Sequence, residues 1–165
     1  MAGLLAALHH HSTTVIYPHL LAFHNAIRWI IIVAGLLSVL AAASGWNGNK
    51  AASPMLRRAG LVFVAAMDTQ LLVGLLLYFA VSPLTRMAFQ NLAAAMKDHE
   101  LRFFTVEHTS YMLIAVVLAH IGAVRVRRAQ TDRSKHRSAT IAYSLSILLI
   151  LAGIPWWRPL FRWAG

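Results

Sequence analysis

Long apolar runs separated by short polar connections organise this chain, and strict apolar/polar alternation is absent from them. Four runs are long enough for membrane-spanning helices, at about residues 24–43, 59–81, 105–124 and 139–157. Pro18 suits a helix start ahead of the first run, and Gly45, Asn47 and Gly48 break the chain after it. Gly153 and Pro155 bend or end the last run before WWRPLFRW. Between the second and third runs, Met87, Leu92, Ala95 and Met96 recur at roughly helical spacing. That spacing fits an amphipathic helix in the membrane interface, and a solvated loop fits the stretch nearly as well. The expected fold is all-α: an up-down-up-down four-helix transmembrane bundle forming a single membrane domain over residues 1–165.

Composition sharpens the class. With 59% hydrophobic residues and a mean hydropathy of +0.62, the chain is too apolar for a soluble single domain. The absence of cysteine excludes disulfides, thiolate metal sites, iron–sulfur clusters and covalently attached c-type haem. A net charge of +10 in so apolar a chain points to membrane-surface arginines and lysines rather than to nucleic acid. The first connection carries Lys50, Arg57 and Arg58, and the third carries Arg125, Arg127, Arg128, Arg133, Lys135 and Arg137. Both should face the cytoplasm, which puts both termini outside a bacterial inner membrane; Arg158 and Arg162 in the tail count against that orientation. His9, His10 and His11 follow a short apolar run and read as a solvated tail before they read as a metal site.

The candidate chemistry lies in the few ionisable groups inside the runs, where such groups are costly and tend to be functional. His24 and Arg28 share one helix face near the start of the first run. Glu107 and His108 open the third, and two runs crossing in the same direction bring all four residues to one level. Helices one and three of such a bundle are diagonal, so His24 and His108 can flank a planar macrocycle as axial ligands of one b-type haem iron. Arg28 is then available to a propionate, and Glu107 to orient an imidazole. Asp68, near mid-membrane in the second run, must be protonated, paired or turned to a polar cavity. His120 lies at a similar depth and is its expected partner in a structural polar pair. His108 and His120 are twelve residues apart, about 120° around the helix, so they do not face one seam.

The series HNAIRW, DTQLLVGLLLY, LRFFTVEH, a basic stretch ending in KHR, and LILAGIPW resembles small four-span bacterial membrane proteins, common in Bacteroidota-like lineages and loosely labelled "cytochrome b". The resemblance covers roughly residues 24–157 and picks out His24, Arg28, Trp29, Gln70, Glu107, His108 and His136. It implies haem and electron transport. Asp68 stands where that pattern usually has His, so a second-span histidine ligand is not supplied here.

Two function classes follow. One is an electron-transfer subunit with a single b-haem; the other is a haem-free accessory subunit that fills space, binds lipid or pigment, or docks partners in a larger respiratory or photosynthetic membrane complex. Besides lipid, such a complex is the expected partner, and a transporter ranks well behind both. No nucleotide loop, nucleophile motif or zinc signature occurs, so no enzymatic turnover is expected.

Overall fold

The computed structural model describes the backbone of residues 2–48 and 50–159 and the side chains from Val15 onward, leaving aside position 49. His9–His11 and Arg162 therefore lie outside the side chains described. The described residues are all helical and loop, without strands: α1 (Ala2–Ala43), α2 (Pro54–Leu76), α3 (Pro83–Gln90), α4 (Leu92–Ala95), α5 (His99–Arg102), α6 (His108–Arg128) and α7 (Asp132–Ala152). A π-helical turn extends α2 over Leu77–Val81, and another precedes α6 over Phe103–Glu107.

Three segments are long and apolar enough to cross a membrane: Val15–Ala43, Pro54–Val81 and His99–Arg128. α7 falls short of the others because Asp132, Arg133, Lys135 and Arg137 occupy its first two turns, which leaves only Ser138–Ala152 uncharged. The helix also stops at Ala152, earlier than the 157 expected, because Gly153 caps it and Pro155 cannot continue it. α1 departs in the other direction. It runs through Pro18, where a helix start was expected, and its 42 residues reach about 63 Å, twice the membrane's hydrocarbon thickness.

Capping explains where the shorter helices begin. The Ser53 hydroxyl accepts from the Leu56 N–H at 3.2 Å with Pro54 in the first turn, and Thr131 caps α7 through the Ser134 N–H at 3.2 Å. The Lys135 ammonium, bonded to Asp132 at 2.9 Å, holds that carboxyl below its ordinary range, and the Ala52 N–H assists. The connection expected to hold one interfacial helix holds three short ones, because Asn91 leaves helical geometry at φ −150° and Asp98 caps a new turn through the Leu101 N–H.

α1 packs against α2 and α7, and α6 packs against α7 and α2, so α1 and α6 face each other diagonally. The centre is filled by Ile31, Phe63, Met67, Tyr143 and Ile147, with the Phe63 and Tyr143 rings edge to face at 5.6 Å. Outward positions remain apolar, Leu61 and Leu72 being 67% and 68% exposed, as a lipid-facing surface requires. His136, which is 1% exposed, ties the start of α7 to the end of α1 by donating from Nδ1 to the Ala42 carbonyl at 2.8 Å. Its ring fills the space beside Gly45, where a Cβ would collide with it. Ser146 Oγ likewise donates to the Ala115 carbonyl at 2.8 Å, joining α7 to α6 inside the bundle.

Candidate functional site

His24 sits on α1 and His108 on the first turn of α6, and the diagonal placement of these helices brings the two rings together. Their centroids are 6.3 Å apart with the planes at 61°. Both are partly buried, and their accessible faces line a cavity of about 170 Å³ shared with Arg28, Gln70, Tyr78 and Met112. Arg28 is buried, one turn from His24, and its guanidinium lies over the Trp29 ring at 5.6 Å. It is thus held inside the bundle rather than reaching the headgroups.

One hydrogen bond determines the chemistry of His108. Its Nδ1 is 2.7 Å from the Gly153 carbonyl oxygen. A carbonyl only accepts, so Nδ1 carries the proton and the Nε2 lone pair is left for another partner. The bond also meets a need of α7, whose last carbonyls have no partner in their own helix. On the opposite ring, His24 Nδ1 is buried without a protein partner, as is Gln70 Oε1 on α2. Such atoms are costly unless something else satisfies them.

Around the cavity, the chain departs from regular α-helix at two places that touch. Tyr78, in the π-turn closing α2, donates its hydroxyl to the Thr105 carbonyl in the π-turn preceding α6 at 2.9 Å. Thr85 donates to the Tyr78 carbonyl at 2.7 Å, and Arg86 to the carbonyl of Ala80. These side chains take up carbonyls at the irregular turn and anchor the short α3, whose Leu84 and Thr85 line the cavity. π-turns of this kind occur often at functional sites.

Glu107 does not take the orienting role expected of it. Its carboxylate is 2.8 Å from Arg102 Nε, one turn back, and faces away from the cavity. The Gly153 carbonyl holds His108 instead. Asp68 and His120 do meet, Oδ1 to Nε2 at 2.7 Å, but each side chain is 48% exposed on the outer surface between α2 and α6. Sequence depth brings these two together, whereas the face they occupy depends on the helix rotation. Asp68→Asn should keep the contact. Asp68→Leu should be less stable than Asp68→Asn by about 1 kcal/mol in detergent, a lost hydrogen bond at a half-accessible site. Equal denaturation midpoints for the two variants would show that the contact contributes nothing.

The chain matches no family model, and no curated protein or solved structure matches it. The site therefore stands on its own geometry. Among the described residues no three His, Asp or Glu side chains converge as a metal cluster, so a site built on histidines here has two of them. Gly153 is the member to which sequence reading assigned no role in the site, because it acts through a backbone carbonyl; Gln70, which the resemblance picks out, reaches the cavity from α2. A helix end level with a buried histidine is the signal that points to the first.

Proposed function

We propose that the protein is a small four-span subunit of a bacterial inner membrane, of the kind its sequence resembles, in which His24 and His108 hold one b-type haem for electron transfer. The observation that carries this reading is the separation of the two rings. Two axial imidazoles on one iron, with metal–nitrogen bonds of about 2 Å and ring radii of about 1.1 Å, stand about 6 Å apart centroid to centroid. The value here is 6.3 Å across a diagonal helix pair. The donor set fits too, since the Gly153 carbonyl accepts from the Nδ1–H of His108 and leaves Nε2 as the atom that would ligate. A haem held by these two imidazoles would supply one-electron transfer. Arg28 would offset the negative charge of the reduced state or of a propionate, and Gln70 offers a polar contact at the same level.

A haem-free accessory subunit of a larger membrane complex is the second reading, and cavity size favours it. About 170 Å³ is less than the roughly 300 Å³ at which pockets begin to bury drug-sized ligands, so a macrocycle would have to part the side chains around it. A reduced-minus-oxidised absorption spectrum of the protein, purified after expression with haem supply, separates the two. Sharp b-type bands support the electron-transfer reading, and a featureless difference spectrum leaves the accessory role.

Topology has its own test. With the basic connections cytoplasmic, a cysteine at Ser134 is shielded from an impermeant thiol reagent in intact cells and a cysteine at Gln90 reacts. The opposite pattern inverts the chain and moves the His24–His108 level to the cytoplasmic side.

A further inference from the structure

The chain has five Asp and Glu side chains, and each is engaged. Asp68 bonds His120, Glu100 pairs with Arg158, Glu107 with Arg102, Asp132 with Lys135, and Asp98 caps α5 through the Leu101 N–H. Arg125 and Arg128, on the last turns of α6, form no ion pair among the described residues. They lie one turn apart at the head of an open groove of about 760 Å³, into which Ser134 and Ser138 of α7 also project.

Below the arginines the groove is lined by apolar side chains and by His120, whose Nε2 is bonded to Asp68. Val117, Ile121 and Val124 follow one another down a single face of α6 from Arg128, with steps of three or four residues. Val117 and Ile121 are 56% and 41% exposed. From Arg128 to Val117 the helix descends about 16 Å, half the hydrocarbon thickness of a bilayer of about 30 Å. The groove is therefore one leaflet deep, cationic and hydroxyl-lined at the membrane surface and, apart from His120, apolar below.

We infer that this groove binds an anionic phospholipid of the leaflet next to the basic connections. The phosphodiester lies between Arg125, Arg128 and the two serine hydroxyls, and one acyl chain runs along Val124, Ile121 and Val117. A zwitterionic lipid is disfavoured because its ammonium group would be brought up to two guanidinium groups that form no ion pair with an Asp or Glu among the described residues. The site is separate from the His24–His108 level, and the inference holds whether or not haem is present.

The test is a native mass-spectrometry titration of the full chain in detergent with dioleoylphosphatidylglycerol against dioleoylphosphatidylcholine. A preference for the glycerol lipid of about fivefold per arginine, about thirtyfold in all, is expected. R125Q/R128Q should bring the preference close to one, while R57Q/R58Q, the same charge change at the start of α2, should leave it intact. Ile121→Trp, which fills the groove and keeps every charge, should abolish it. Glycerol 1-phosphate should fail to displace the lipid. Equal loss in the two arginine pairs would show that diffuse positive charge is responsible. A preference that survives Ile121→Trp, or displacement by glycerol 1-phosphate, would remove the groove from the explanation.

Discussion

If the two imidazoles hold a haem, leucine at either His24 or His108 should remove the b-type absorbance of the purified protein, and leucine at His120 should leave it in place. The asymmetry comes from geometry. His24 and His108 face each other across the α1–α6 diagonal with their centroids 6.3 Å apart, whereas His120 is on the outer surface with its Nε2 bonded to Asp68. Removing one imidazole would take away one of the two proposed ligands, and among the described residues no other histidine lines the cavity to replace it. A variant that merely misfolds would give the same loss, so the decisive measurement is rescue. His24→Gly and His108→Gly leave a hole of imidazole shape, and free imidazole added during haem loading should restore the spectrum in both. Full absorbance in the two leucine variants, or loss in His120→Leu alone, would place the ligands elsewhere. Arg28→Leu should keep the bands and lower the midpoint potential, because a buried guanidinium favours the more negative, reduced state.

Depth was legible in the sequence, and rotation was not. Counting along two antiparallel apolar runs places Asp68 and His120 at one level, and they do bond; only packing decides that they bond on the outer surface. The same counting brings His24 level with His108, and an alternating bundle makes their helices diagonal. Glu107 shows the limit of that approach. A carboxylate next to a ligand candidate invites a role there, but Arg102 lies one turn back on the same helical path and takes it. Run length misjudged α7 for a related reason: the tryptophans after Pro155 are as apolar as a span, yet a glycine cap and a proline end the hydrogen-bond ladder at Ala152 whatever the hydropathy. Backbone acceptors are the least legible. No residue type announces that the Gly153 carbonyl is free and points at His108.

That carbonyl underlies the second large effect: Gly153→Val should weaken haem binding by about ten- to hundredfold, the usual range for losing a group that orients a ligand. Gly153 has φ −86° and ψ 0°, open to any residue, so glycine is required here for space. A Cβ at this position would collide with Met112 Cε and lie 3.0 Å from Tyr111 Cβ and 3.3 Å from the Leu149 carbonyl. Met112 can swing aside. Tyr111 Cβ is fixed to the α6 backbone, so the end of α7 must move away from α6 and take its carbonyl with it. His108 Nδ1–H then loses its acceptor, and the ring that faces His24 is free to turn. The same overpacking costs about 1–3 kcal/mol of stability, which must be separated from the effect on the ligand. Gly60→Ala is the control: its Cβ would lie 3.0 Å from the Tyr143 hydroxyl, in the core away from the cavity, and should cost stability without changing haem affinity. If Gly153→Val and Gly60→Ala are equally unstable and bind haem equally well, the Gly153 carbonyl plays no part in holding His108.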